Sequence, residues 1–201
     1  MKNFQEVISY IFHPLFTPII GTLSYFLLTP KYSPIQLQSS SILPIFILTI
    51  VIPIISYFIL KNIGIVNTIF MPSLQERKYP LYINITLLFI IVYKVIPYNY
   101  TSELYYFFLG LIGAYFSSLL LLFFNFKSSM HLISMGSLLM YLISLSVHFE
   151  INIILGLCFF TIATGLVASS RLYLKAHSKA EILIGFFVGV FSQLLTIKFW
   201  L

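Results

Sequence analysis

The sequence predicts an all-α polytopic membrane protein, a transmembrane helical bundle of six to seven spans built as a single integral-membrane domain over 1–201. Three observations carry that expectation. Sixty per cent of the 201 residues are apolar and only 8% are charged, whereas a soluble domain carries about a quarter charged residues. So few polar groups cannot cover a globular surface, which excludes a water-soluble enzyme and a disordered chain. The apolar residues also gather in runs near the length, roughly 20 residues, that crosses about 30 Å of hydrocarbon.

Taken in order, the candidate spans cover 7–29, 42–60, 82–98, 104–124, 131–147, 151–169 and 181–200. Each is expected to be helical, because the bilayer core offers no water to satisfy an exposed backbone. Aromatic and β-branched richness would favour strand in water, but here run length outweighs propensity. The first span contains His13, Pro14 and Pro18, which predicts a kinked, re-entrant or partly interfacial segment. Its run is expected to stay in the mature chain, since Glu6 and His13 interrupt it and no small-residue cleavage site follows. The third span is short and carries Lys94, placed to snorkel to an interface. Gly110 and Gly113 in the fourth are expected to serve packing. Only 147–151 joins the fifth to the sixth, which forces a tight hairpin containing His148 and Glu150. The longest connections are 30–41 and 61–81. Tyrosines and phenylalanines near the span ends read as an interfacial belt, and His13 and His148 read as structural.

Composition narrows the chemistry. Cys158 is the one cysteine, so neither a disulfide framework nor a cysteine-rich metal site is expected. There is no Asp and there are five Glu, too few hard oxygen ligands for a catalytic Mg²⁺ cluster. No cofactor is expected, and no P-loop is present. The net charge of +6 does not point to nucleic acid, because no groove-reading motif accompanies it. An anionic lipid headgroup or a phosphate is the better partner, and no obligatory protein partner is inferred.

The charges concentrate in three groups: Glu76-Arg77-Lys78, then Lys127, then Arg171-Lys175-His177-Lys179-Glu181. Two spans separate each group from the next, and an even number of crossings returns the chain to the same side. All three groups therefore lie on one membrane face and can converge on one site.

The third group reads Ser170-Arg171, five residues, His177, three residues, Glu181, then Gly185 and Gly189. If His177 and Glu181 stand on one helix, they are i and i+4 and share a face. A carboxylate there accepts the Nδ1–H of the imidazole and leaves Nε2 as a nucleophile. Arg171 is free to turn its guanidinium toward a phosphate. The second group, Lys127-Ser128-Ser129-Met130-His131, supplies a cation, hydroxyls and a second histidine, and the first supplies Arg77 and Lys78 just before the third span. Two histidines among several cations suggest phosphoryl transfer through a phosphohistidine.

In these residues the chain resembles the type 2 phosphatidic acid phosphatase (PAP2) superfamily, which shares its site with the vanadium haloperoxidases. The family's third motif, Ser-Arg-x5-His-x3-Asp followed by glycines, is matched in spacing from Ser170 to Glu181, with Glu for Asp. Its second motif, Pro-Ser-Gly-His, is met by Ser128-Ser129-Met130-His131. Of its first motif, Lys-x6-Arg-Pro, only the basic end is recognisable, in Arg77-Lys78-Tyr79-Pro80. The resemblance is to a small divergent bacterial branch and covers a core of about 70–190.

The resemblance implies a PAP2-like, vanadium-haloperoxidase-like core and a metal-independent lipid phosphatase of a bacterial inner (cytoplasmic) membrane. It implies His177 as nucleophile, Glu181 as the group orienting it, and His131 as general acid. Arg77, Ser129 and Arg171 would hold the phosphate, and charge and position add Lys78 and Lys127. The substrate would be a lipid phosphate or diphosphate: an isoprenyl diphosphate carrier, phosphatidic acid, phosphatidylglycerol phosphate or a lipid A phosphate, which nothing in the sequence separates. Met130 replaces a glycine that lets backbone approach the phosphate, and no lysine stands seven residues upstream of the Arg77 motif. A second reading therefore stays open, a catalytically inactive relative that binds anionic lipid or a partner. A transporter is disfavoured, because no broken helices recur in repeated halves.

Orientation is open as well. The motif face carries Lys2, Lys61, Arg77, Lys78, Lys127, Arg171, Lys175 and Lys179, and the other has Lys31, Lys94 and Lys198 near it. With Arg77, Lys78, Lys127 and Arg171 reserved for phosphate, the balance is four against three, too even for the positive-inside rule to decide.

Overall fold

A computed structural model describes residues 2–68, 71 and 73–201; position 1, and positions 69, 70 and 72 in the expected 61–81 connection, lie outside the described residues. Among the described residues all regular structure is helical. Seven helical segments are long and apolar enough to cross a membrane: Lys2–Leu28, Ile35–Asn62, Leu74–Val95, Ser102–Phe123, Met130–His148, Ile154–Tyr173 and Lys179–Ile197. These match the seven expected in number and order, but two begin well ahead of the expected bounds: the second at Ile35 and not 42, so that most of the expected 30–41 connection is helical, and the third at Leu74 and not 82. The third starts at Leu74 because the Ser73 hydroxyl accepts the Glu76 N–H at 3.2 Å, an N-cap that starts a helix. Glu76, Arg77 and Lys78 therefore stand within its first five residues and not in a loop before it, and Pro80 is carried inside the helix.

Within the spans the elements are α1 (Lys2–Ile11), a 3₁₀ turn (Pro14–Phe16), α2 (Thr17–Leu28), α3 (Ile35–Phe46), α4 (Ile52–Asn62), α5 (Leu74–Ile90), α6 (Ser102–Phe123), α7 (Met130–His148), α8 (Ile154–Tyr173) and α9 (Lys179–Ile197). Prolines set the breaks. His13 is extended, with ψ 141°, as a residue before proline must be. Its ring nitrogen Nδ1 accepts the Leu15 N–H at 3.3 Å and caps the 3₁₀ turn. The first span is thus broken, as the sequence suggested. A π-helical stretch, Ile47–Val51, links α3 to α4 just ahead of Pro53. The wider turn contains Thr49, whose carbonyl would otherwise meet the proline ring.

The centre of the bundle is α7, packed most closely on α9 and also against α8, α2 and α6. Glycines allow that closeness. A Cβ at Gly185 would stand 2.8 Å from the Ser129 carbonyl oxygen, and one at Gly189 would run into the backbone of Ile133 and of Ser137. Small-residue contacts of this kind drive helix association where the lipid is as apolar as the side chains.

Four helices end the same way. After α4, α6, α7 and α8 the chain enters the left-handed region at Gly64, Asn125, Glu150 and Lys175. In each, a backbone bond then reaches back across the last turn: Ile65 to Leu60, Phe126 to Leu121, Ile151 to Ser146 and Ala176 to Arg171, at 2.9 to 3.1 Å. These are Schellman closures, and three use a residue other than glycine.

At the end of the bundle away from the charged groups, Glu103 is buried at 2% exposure and collects donors from three segments. Tyr25 Oη donates to it at 3.1 Å and Lys31 Nζ at 2.6 Å, and His148 Nε2 lies 3.6 Å away. His148 therefore meets Glu103, and not the Glu150 beside it in sequence. Glu150 sits exposed in its left-handed turn, whereas a buried carboxylate requires partners. Gly110 and Gly113 serve packing of α6 on α9, at Gln193 and Ser192.

Replacing Gly189 with Val should force α9 off α7 and destabilise the protein by about 3 kcal/mol, read as a lowered unfolding midpoint in detergent.

Candidate active site

The three charged groups meet. Arg77 from α5, His131 from α7, Arg171 from α8 and His177 from the turn after α8 line one cavity of about 180 Å³. Arg171 and His177 are each 7% exposed, so their chemistry is that of largely dehydrated groups.

His177 does not stand on a helix. The α8 helix closes at Arg171 through Lys175 and Ala176, and α9 begins at Lys179 with Ser178 as its N-cap. His177 lies one residue before that cap. Its contact with Glu181 arises because the Glu181 side chain folds back over the helix start. The Ser178 hydroxyl accepts the Glu181 N–H at 3.3 Å, and Glu181 Oε2 accepts the Ser178 N–H at 3.1 Å, a complete capping box. The same Oε2 accepts His177 Nδ1–H at 2.8 Å. One carboxylate thus caps a helix and sets a tautomer, leaving Nε2 of His177 with a lone pair.

Burial first, with the Arg77 and Arg171 charges adding to it, lowers the His177 pKa from 6.5 to about 4 against the Glu181 bond, which raises it. The ring is therefore neutral near pH 7. Lys127 is also pushed below its ordinary value, by partial burial first and then by Arg77.

Arg171 makes no ion pair among the described residues, and its Nε has no hydrogen-bond partner. Its Nη1 donates to Ser9 Oγ at 3.3 Å. Ser9 and Ser170 hydroxyls are 2.8 Å apart, and Ser170 Oγ donates to the Gln5 carbonyl at 2.6 Å. A guanidinium only donates and a carbonyl only accepts, so the chain runs from Arg171 through Ser9 and Ser170 to Gln5. His131 joins the same strap, its Nε2 lying 3.1 Å from the Ser9 carbonyl. That carbonyl obliges Nε2 to carry hydrogen, so Nδ1 is the nitrogen through which His131 exchanges protons.

The other predicted residues are placed less directly. Ser129 is fully buried behind the wall; its N–H donates to the Glu181 carbonyl at 3.1 Å, and its hydroxyl has no partner among the described residues. The cavity wall takes Ser128 in its place, with its hydroxyl 2.9 Å from that of Ser118. Arg77 Nε donates to the Met71 carbonyl at 2.9 Å. Lys78 does not line the cavity: its ammonium stands 4.8 Å over the Phe123 ring. Lys127 lies near Arg77 but outside the lining. Met130 lines the cavity and accepts a bond from the Ser118 hydroxyl at 3.3 Å.

The first span contributes residues that the motif reading did not include. Glu6, Ser9, Tyr10 and His13 all line the cavity. They stand at i, i+3, i+4 and i+7, a polar stripe on an apolar run, which is the signal that identifies a cavity-facing side. His13, read from the sequence as structural, packs edge-on against His131 with ring centroids 5.4 Å apart. The site is therefore not confined to 70–190. Among the described residues no three His, Cys, Asp or Glu side chains gather as a metal cluster. No family model matches the chain, and neither a curated protein nor a solved structure matches it.

Two outcomes follow. In histidine-resolved NMR titration of the protein in detergent, His177 should titrate near pH 4, and Arg77→Gln should raise that midpoint by removing a positive neighbour. Lys175→Gly should remove a left-handed penalty of roughly 1 kcal/mol and raise the unfolding midpoint while leaving the His177 titration in place.

Proposed function

We propose that the protein is a metal-independent lipid phosphatase with a PAP2-like core, which hydrolyses a phosphate or diphosphate ester of a bacterial inner-membrane lipid through a phosphohistidine. The observation that carries this reading is the neutral His177, with Nδ1–H on Glu181 at 2.8 Å, in a cavity shared with Arg77 and Arg171.

In this scheme Nε2 of His177 attacks phosphorus and the P–O bond to the lipid breaks. The leaving oxygen takes the Nδ1 proton of protonated His131, which returns to its neutral form with Nε2–H still on the Ser9 carbonyl. A water oxygen then attacks phosphorus while His131 Nδ1 takes its proton, and the P–N bond breaks, returning its electron pair to Nε2 of His177 as phosphate departs. Arg77 and Arg171 stabilise the equatorial oxygens, and Lys127 adds to the field from behind Arg77. A cavity of about 180 Å³ suits a phosphorylated headgroup, while the chains stay in the bilayer between helices.

Met130 favours a second reading. Its side chain occupies the wall where the family's glycine gives a phosphate access to backbone, which suits a protein that binds anionic lipid without turnover.

Phosphate release from a panel of lipid phosphates and diphosphates, with EDTA present, separates the two. Turnover should survive EDTA, fall at least about a thousand-fold in His177→Ala, follow a bell-shaped pH profile belonging to the histidine pair, and be inhibited by vanadate. A folded protein with no turnover on any lipid would establish the binding reading instead.

A further inference from the structure

His13 has a role in the cavity that capping alone does not explain. The sequence Phe12-His13-Pro14-Leu15 breaks the first span, and the break exists because Pro14 has no N–H and forces His13 to be extended. Capping the resulting turn needs one acceptor close to the backbone, for which Asn, Asp and Ser are the favoured residues. Histidine is not among them, and it brings a second ring nitrogen that the cap does not use.

The state of that second nitrogen is determined. The Leu15 N–H donates to Nδ1 of His13 at 3.3 Å, so Nδ1 is unprotonated and the neutral ring carries its hydrogen on Nε2. No hydrogen-bond partner for Nε2 is found among the described residues. The ring lines the cavity that holds Arg77, Arg171, His131 and His177, edge-on to His131 at 5.4 Å. An N–H donor in one cavity with two arginines and the neutral His177 imidazole makes a set of groups suited to an anion.

We propose that His13 is a third substrate-binding imidazole, whose Nε2–H donates to an oxygen of the bound phosphoryl group. His13 is a donor in the ground state and the transition state and does not transfer its proton, since losing it would leave an imidazolate. The proton steps stay with His131, and the attack with His177. The inference deepens the phosphatase reading and rests on it for turnover, but the anion contact itself requires only that the cavity binds a phosphate.

The test is calorimetric binding of inorganic phosphate to the full chain in detergent, alongside turnover of lipid phosphates. His13→Asn is the informative variant, because Asn preserves the cap on Leu15 N–H and is too short to present the donor. It should bind phosphate about tenfold more weakly, the worth of one hydrogen bond to a charged group, with an unchanged unfolding midpoint. His13→Ala should lose both the affinity and part of the thermal stability. Wild-type affinity in His13→Asn would overturn the inference and leave His13 a cap. Absence of phosphate binding by the wild type up to millimolar concentration would overturn it too. Binding that weakens in His13→Asn, with no lipid turnover in any form, would sink the hydrolase reading while the contact stands.

Discussion

The site depends on where the first turn of α9 stands, and the Glu181 carboxylate holds that turn. Its Oε2 satisfies the Ser178 N–H and the His177 Nδ1–H together, while its own carbonyl accepts the Ser129 N–H. Helix capping, the orientation of the histidine and the docking of the segment before α7 are therefore one bonded unit. Gly185, one turn further on, lies against the Ser129 backbone, so the same unit fixes how closely α9 approaches α7. An acidic residue at a helix start is also favoured by the helix dipole. The glutamate thus stabilises the helix for local reasons and orients the imidazole as a consequence.

The second constraint is the dehydrated Arg171. A dehydrated charged group without a carboxylate partner is expensive, and this one is steadied by neutral groups only. The strap from Arg171 through Ser9 and Ser170 to Gln5 ties α1 to the end of α8 and leaves the charge uncancelled. The remaining stabilisation is available to an anion in the cavity. The same strap sets the tautomer of His131 through the Ser9 carbonyl, so the first span both closes the cavity and determines which nitrogen can exchange a proton.

The breaks in the helices follow the same economy. Unpaired backbone groups are tolerated in a membrane only where protein or a cavity covers them. The break at Phe12 to Phe16 lies against α7 and the cavity, and the Schellman closures satisfy the carbonyls of four helix ends without side chains. The closure after α8 matters most, because its left-handed Lys175 reverses the chain tightly enough to bring His177 back to the cavity that Arg171 faces.

Local information determined much of this protein. Run length identified the seven helices long and apolar enough to cross a membrane, because hydrocarbon thickness sets a length that any spanning sequence must meet. The parity of crossings placed Arg77, His131, Arg171 and His177 on one face, since counting spans needs no knowledge of their packing. The spacing from Ser170 to Glu181 pointed to an imidazole–carboxylate pair, although the pair forms across a helix cap and not along a helix face. Other features were decided only by the tertiary structure. Ser128 rather than Ser129 reaches the wall, Lys78 turns to Phe123, His148 meets Glu103, and His13 joins His131. Each of these depends on which faces of neighbouring helices come together. That is set by close contact at Gly185 and Gly189 and by the hydrogen-bonded strap from α1, interactions between residues far apart in the chain that no spacing along it records.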